Sequence, residues 1–256
     1  MDSSVVTREA ARVELGAGAV LKETWRLYKR LFVRSLVLGL VVFGTVRLVD
    51  GLSRTGHGSA VAAMGLLSIV LSFAGVALLE GGLVEIVRGL HDDGDADESF
   101  GGVMQNAGGR LGKLVAVSLL TGLGIGLGLV LLVVPGLVLM TRWAVAVPVA
   151  MLEDGSAREA LRRSREIVDG NSWPVFWVLA ATAALTFVVW IPFVAASSGS
   201  GLFASWIAMT IASALTLPYT AHAITVIYYA LTEPGRPIAL EPGERWRSVW
   251  DEDAGS

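Results

Sequence analysis

Residues 114–152 read LVAVSLLTGLGIGLGLVLLVVPGLVLMTRWAVAVPVAML, an apolar run in which Arg142 is the one charge. A hydrocarbon core about 30 Å thick takes about 20 helical residues at about 1.5 Å each. The stretch is too long for one span and long enough for two, with Pro135-Gly136 as the turn between them. A pair of spans in mid-chain makes the whole protein polytopic, and the flanking sequence agrees.

Three further blocks are apolar over a span length or more. Residues 31–52 carry Arg34 and Arg47 toward their two ends, where both side chains can reach an interface. The block that begins at Ala60 runs on to Leu90, and Glu80, Gly81, Gly82 and Glu85 predict that its last turns break or leave the membrane. Residues 175–231 divide at Ser197-Ser198-Gly199-Ser200-Gly201 into two spans. The composition fits: 54% of the chain is hydrophobic and 17% charged, with a mean hydropathy of +0.63. An ordinary soluble domain is about 25% charged. Cys is absent, which excludes disulfides, thiolate metal sites and a thiol nucleophile. The net charge of −3 gives no pull toward nucleic acid. The N-terminal segment MDSSVVTREAARVEL lacks an uninterrupted apolar run, so no cleavable signal peptide is expected.

Lys and Arg set the orientation. With the N-terminus inside, the inner segments (1–34, 81–113, 153–173 and 232–256) hold 17 of the 20 basic residues. Arg47 and Arg54 fall outside, and Arg142 lies within a span. Both termini are therefore expected in the cytoplasm and the protein in the cell membrane. A stretch with helical periodicity precedes each span pair. Leu21, Trp25, Tyr28 and Phe32 form the apolar face of the first, with Lys22, Arg26, Lys29 and Arg30 elsewhere on it. Phe100, Val103, Met104, Ala107 and Leu111 mark the second, and Ala157, Ala160, Leu161, Ser164 and Val168 the third. Ser156 and Glu159 predict a capping box on that third helix, and Gly170 a C′ residue. Helices of this kind lie in the membrane interface with cations on anionic headgroups, here Lys22, Arg26, Lys29, Arg30, Arg162, Arg163 and Arg165.

The expected class is all-α: a polytopic membrane protein whose six transmembrane helices form three hairpins, each preceded by a cytoplasmic interfacial amphipathic helix (about 19–33, 99–112 and 156–169), in a pseudo-threefold repeat. One transmembrane domain covers 1–231, with spans at about 31–52, 60–80, 114–134, 137–152, 175–196 and 202–231. Residues 232–256 form a short charged cytoplasmic tail.

Few residues remain for chemistry. Arg142 would cost about 2.5–3.5 kcal/mol at the centre of a span. It has two readings: an intramembrane anion or headgroup site paired with Glu80 or Glu85, or a side chain that snorkels from about 9 Å past the Pro135-Gly136 turn. The short distance favours the second. Pro148, Pro192 and Pro218 interrupt spans, which membrane helices tolerate without a broken-helix site. Gly122, Gly124, Gly126 and Gly128 lack the strand and the Lys-Ser/Thr of a phosphate loop, and their 122/126 and 124/128 spacings predict close helix packing. The acidic loop over residues 92–98 fails the EF-hand register, since Glu98 and Met104 stand where Gly and Glu belong. His57, His91 and His222 form no zinc motif, and His222 reads as an interhelical hydrogen-bonding residue. No catalytic, metal or cofactor residues are expected.

The run Pro135-Gly136, Arg142-Trp143, Pro148, Glu153, Ala160-Leu161, Arg163-Ser164, Val168, Gly170 and Trp173 resembles the membrane domain attached to some bacterial glycerophosphoryl diester phosphodiesterases, which also occurs alone in small integral membrane proteins. The likeness is best over 135–173 and looser at Trp25-Arg26-Leu27-Tyr28 and Val226-Ile227-Tyr228-Tyr229. The catalytic barrel of the two-domain members begins with His-Arg-Gly, which this chain lacks, and the tail after Leu231 is too short to hold it. The resemblance implies the membrane module without its enzyme and a link to lipid or envelope metabolism. The expected function is a non-enzymatic module that scaffolds, anchors or regulates such a partner, with anionic membrane lipid as a second partner. The alternative is a lipid-handling protein or transporter that uses Arg142 and the Glu80/Glu85 region.

Overall fold

A backbone in lipid has to pair its N–H and C=O groups within its own segment, and a helix does so. The structure, a computed structural model, describes residues 16–53, 59–92, 100–199 and 201–233, and these contain helices and no strand. In chain order they are α1 (Ala17–Ser53), α2 (Ser59–Asp92), α3 (Phe100–Gly109), α4 (Leu111–Leu131), α5 (Val133–Arg142), α6 (Ala146–Leu152), α7 (Ala157–Val168), α8 (Ser172–Ser197) and α9 (Leu202–Thr232). The segment before Gly16, Arg54, His57, positions 93–98 of the acidic loop, and the tail from 234 lie outside the described residues.

Among the described residues five segments are long and apolar enough to cross a membrane: Val70–Asp92, Leu111–Leu131, Val133–Leu152, Ser172–Ser197 and Phe203–Thr232. Their outer faces have no protein cover, with Val130 85%, Leu131 76% and Phe187 71% exposed. Apolar surface on that scale needs acyl chains against it. This is a multi-pass membrane protein.

The first and last helices hold the bundle together, since α1 packs on α9 more extensively than any other pair. The buried stripe on α1 is Val20, Thr24, Leu27, Leu31, Ser35 and Leu38. It lies one position from the predicted face of Leu21, Trp25, Tyr28 and Phe32. Trp25 is half exposed, and the Trp25 and Tyr28 rings flank Tyr219 of α9. The shift arises because α1 is one unbroken helix from 17 to 53, with no separate interfacial helix over 19–33. Its register is therefore set along its whole length by α9. Gly39 lets the two backbones approach, since a Cβ there would sit 3.0 Å from the Ala214 Cα. Ser35 Oγ meets His222 Nε2 at 3.1 Å, the interhelical bond expected of His222. Tyr28 donates to the Leu215 carbonyl at 3.0 Å, beside the helix turn that Pro218 disrupts.

Two predicted breaks move. α2 continues without interruption past Gly81 and Gly82 to Asp92. These glycines are contact points: a Cβ on Gly81 would meet Leu114 of α4 at 2.6 Å, and one on Gly82 would meet Met104 and Val103 of α3 at 3.2 and 3.3 Å. The fold-back of α5 along α4 turns at Leu132, whose backbone is extended, and not at Pro135-Gly136. Pro135 sits in the first turn of α5, where its missing N–H would lack an intrahelical partner anyway. Gly136 packs on Gly128, where a Cβ would come within 2.9 Å of the Gly136 Cα, and Gly124 packs under the Trp143 ring. The 124/128 face is thus used for packing, whereas a Cβ on Gly122 or Gly126 would meet no atom within 4 Å.

α7 follows the sequence closely. Ala160, Leu161, Ser164 and Val168 are buried, the Ser156/Glu159 capping box forms, and Gly170 adopts φ +85°. The Ser156 backbone N–H, donating to Glu159 Oε2 at 2.6 Å, and the Ser156 hydroxyl hold the Glu159 carboxyl below its usual range. The three pre-span segments are unlike one another: one is continuous with its span, one is the short α3, and one is the capped α7.

Gly39→Val should lower stability by about 1–3 kcal/mol through overpacking against Ala214. Gly44→Ala, where a Cβ meets nothing within 4 Å, should be neutral or stabilise by up to about 1 kcal/mol. Thermal unfolding of the two variants in one detergent checks both.

Candidate functional site

The Val133–Leu152 span is a broken helix, and Pro148 explains the break. Proline cannot donate to the carbonyl four residues earlier and its ring collides with it, so the helix gives way at Trp143–Val145. The Ala146 N–H turns to the Trp143 carbonyl at 3.1 Å, which releases the Arg142 carbonyl from its helical partner. Ser164 of α7 takes its place, donating to that carbonyl at 3.0 Å. The Arg165 guanidinium lies 4.9 Å from the centre of the Trp143 ring. Irregular backbone at membrane depth persists only where protein covers it or where it lines a cavity. Here both hold.

Beside the break lies a cavity of about 940 Å³ bounded by α2, α4, α5, α6, α8 and α9. Its walls are apolar and aromatic, with Phe73, Trp143, Phe187 and Trp190 among them. Glu80 is the one ionisable side chain among the described lining residues. No described residue gives it a hydrogen bond or ion pair. Four more lining groups are polar atoms buried without a partner: Ser118 Oγ, Thr121 Oγ1, Trp143 Nε1 and Thr182 Oγ1. Serine and threonine hydroxyls in a helix usually bond the carbonyl one turn back, as Thr141 and Thr225 do. An unsatisfied buried polar group costs about 1–3 kcal/mol, so a concentration of them around one cavity calls for an explanation.

A second cluster closes one end of the bundle at Glu153, the residue after α6. Its carbonyl accepts from Arg110 Nη1 at 3.1 Å and Lys113 Nζ at 2.7 Å. Its carboxylate accepts from the Tyr228 hydroxyl at 3.1 Å and Arg163 Nε at 3.2 Å. Residues in and just before α4, in α7 and in α9 thus converge on one residue, the first two on its carbonyl and the others on its carboxylate.

The predicted site residues are dispersed. Arg142 is the exposed last residue of α5, where a cation complements the helix C-terminus, and no described ion pair joins it to Glu80 or Glu85. Glu85 is buried and bonded to Arg88 and to Asn106 of α3. Glu80 stands apart, alone in the cavity. Of the basic residues, Arg26 pairs with Glu23 at 3.1 Å, Arg162 approaches Glu166 at 3.8 Å, Arg163 holds Glu153, and Arg165 covers Trp143. Lys22, Lys29 and Arg30 are exposed. Among the described residues no group of three His, Asp or Glu gathers to hold a metal. The cavity hydroxyls and the Glu153 cluster are new. Ser118, Thr121 and Thr182 were visible as hydroxyls deep in apolar spans, but nothing in one sequence says that such positions share a space.

Comparison with protein-family models, with curated proteins and with solved structures finds no match. The likeness of 135–173 to the phosphodiesterase membrane domain rests on its residues alone.

Ser164→Ala should cost about 1–3 kcal/mol by orphaning the Arg142 carbonyl, whereas Arg142→Ala, an exposed position, should stay within about 0.5 kcal/mol. Thermal unfolding of the purified variants checks the order.

Proposed function

We propose that the protein is a six-span membrane module that takes a membrane-partitioned amphiphile into the cavity beside the broken helix, binding it without a catalytic step. The observation that carries this is the cavity's composition: apolar and aromatic walls, one carboxyl group and four unpartnered polar atoms. Such a lining matches a molecule with an apolar body and a small polar end. Phe73 and Phe187 line the cavity and are themselves exposed, so the approach runs from the acyl chains and not from water. The break at Trp143–Val145 supports the same reading, since discontinuous helices at membrane depth recur where transporters bind their substrates.

Residues 31–52 of α1 supply the sixth span. α1 has 37 residues, about 55 Å of helix, so its first turns project beyond the hydrocarbon with Lys22, Lys29 and Arg30. The distribution of Lys and Arg supports an orientation with α3, α7 and both termini on the cytoplasmic side. The exposed face of α7, with Arg158, Arg162 and Glu166, favours a second reading, in which the module anchors an envelope- or lipid-related partner there, as its resemblance to the phosphodiesterase membrane domain implies.

Gly122 gives a direct test, because it lines the cavity and has open space where a side chain would project. Native mass spectrometry from a mild non-ionic detergent should show a retained lipid-like adduct on the wild type and none on Gly122→Leu, at unchanged thermal stability. A protein adduct kept by both would favour the second reading.

Orientation is tested by cysteines in a chain that has none. A membrane-impermeant maleimide should label Ser198→Cys only from outside the cell and Asp169→Cys only after the membrane is opened.

A further inference from the structure

We propose that the cavity selects an amine, a protonated ammonium group on an apolar body, seated against Glu80. This rests on the amphiphile-binding reading and narrows its ligand class. An ionised carboxylate in apolar surroundings costs several kcal/mol unless a cation compensates it. Glu80 has no such partner among the described residues, unlike Glu85, which bonds Arg88 and Asn106, and Glu153, which bonds Arg163 and Tyr228. The missing counter-charge is therefore one that a ligand would bring.

Most of the rest of the lining fits the same charge, Trp143 Nε1 being the one unpartnered group there that can only donate. No Lys, Arg or His is among the described lining residues, so a phosphate or carboxylate headgroup would meet Glu80 with nothing to neutralise it. An ammonium has three N–H donors and no acceptor. Glu80 and the hydroxyl oxygens of Ser118, Thr121 and Thr182 are acceptors left without partners in the cavity wall. Aromatic rings attract cations over their faces within about 6 Å, and Phe73, Phe187 and Trp190 are rings of the cavity lining besides Trp143. Trp143 already holds one cation in this way, the Arg165 guanidinium.

The test compares three probes with one chain and three headgroups: dodecylamine, dodecanol and dodecanoate. Each is titrated into the purified protein in neutral-lipid nanodiscs, read by tryptophan fluorescence and by native mass spectrometry. Dodecylamine should bind the wild type at least about tenfold more tightly than dodecanol, the share of a charge-assisted hydrogen bond, and dodecanoate more weakly than either. Glu80→Gln removes no described hydrogen bond. It should bring dodecylamine to the level of dodecanol and leave dodecanol unchanged. Glu80→Asp, which keeps the charge, should keep the amine preference, and Gly122→Leu should abolish all saturable binding. Equal affinities for amine and alcohol in the wild type, or amine binding untouched by Glu80→Gln, would overturn the amine assignment while the cavity reading stood, provided Gly122→Leu still abolished binding. Absence of saturable binding by every probe would overturn both.

Discussion

Pro148 has no N–H to give the Ala144 carbonyl, and much of the architecture follows from that single missing donor. The span cannot pass residues 143–145 as a helix, so the chain turns there and the Arg142 carbonyl needs another partner. In water a solvent molecule would serve. At membrane depth only protein can, and Ser164 fixes α7 against the break by donating to that carbonyl. With α7 in place, Arg165 reaches Trp143 and Arg163 reaches Glu153, so the small helix ties the broken span to the cluster that also holds α9. The displaced segment 143–147 contributes one wall of the cavity.

The parts of the fold that one sequence shows are those decided locally. The apolar runs after residue 60 give spans because length and hydropathy need no tertiary context. The Ser156/Glu159 cap and the left-handed Gly170 follow from side chains within one helical turn. What moved was decided by neighbours. Pro135-Gly136 looks like a turn in isolation, yet Gly136 is needed for contact with Gly128, so the reversal falls at Leu132. Gly81-Gly82 looks like a helix breaker and is the seat of α3 and α4. The α1 stripe differs by one residue because α9 chooses which face is buried.

The candidate site was legible only in its ingredients. Arg142 and Glu80 are both costly in a span, and proximity in chemistry suggested a pair. The structure gives them separate solutions, exposure at a helix end for the arginine and an apolar cavity for the carboxylate. The Glu153 cluster shows the same limit, since Tyr228 lies 75 positions away and no local pattern predicts that its hydroxyl is the partner. The unpartnered hydroxyls that share the cavity with Glu80 come from α4 and α8, whose meeting is a property of the whole bundle.

The α1–α9 seam has a consequence for how the molecule is made. Ser35 and His222 are separated by 187 positions, so α1 leaves the ribosome carrying a hydroxyl, the Tyr28 phenol and the Gly39 notch toward a partner that is synthesised much later. Until α9 enters the bilayer, the Ser35 hydroxyl can turn to a carbonyl of its own helix, but His222 and Ala214 are not yet there to meet it and Gly39. The most extensive helix pair of the bundle therefore closes only after the segments between its two members have been made. A chain cut short before residue 202 would lack the partner that α1 is shaped to receive.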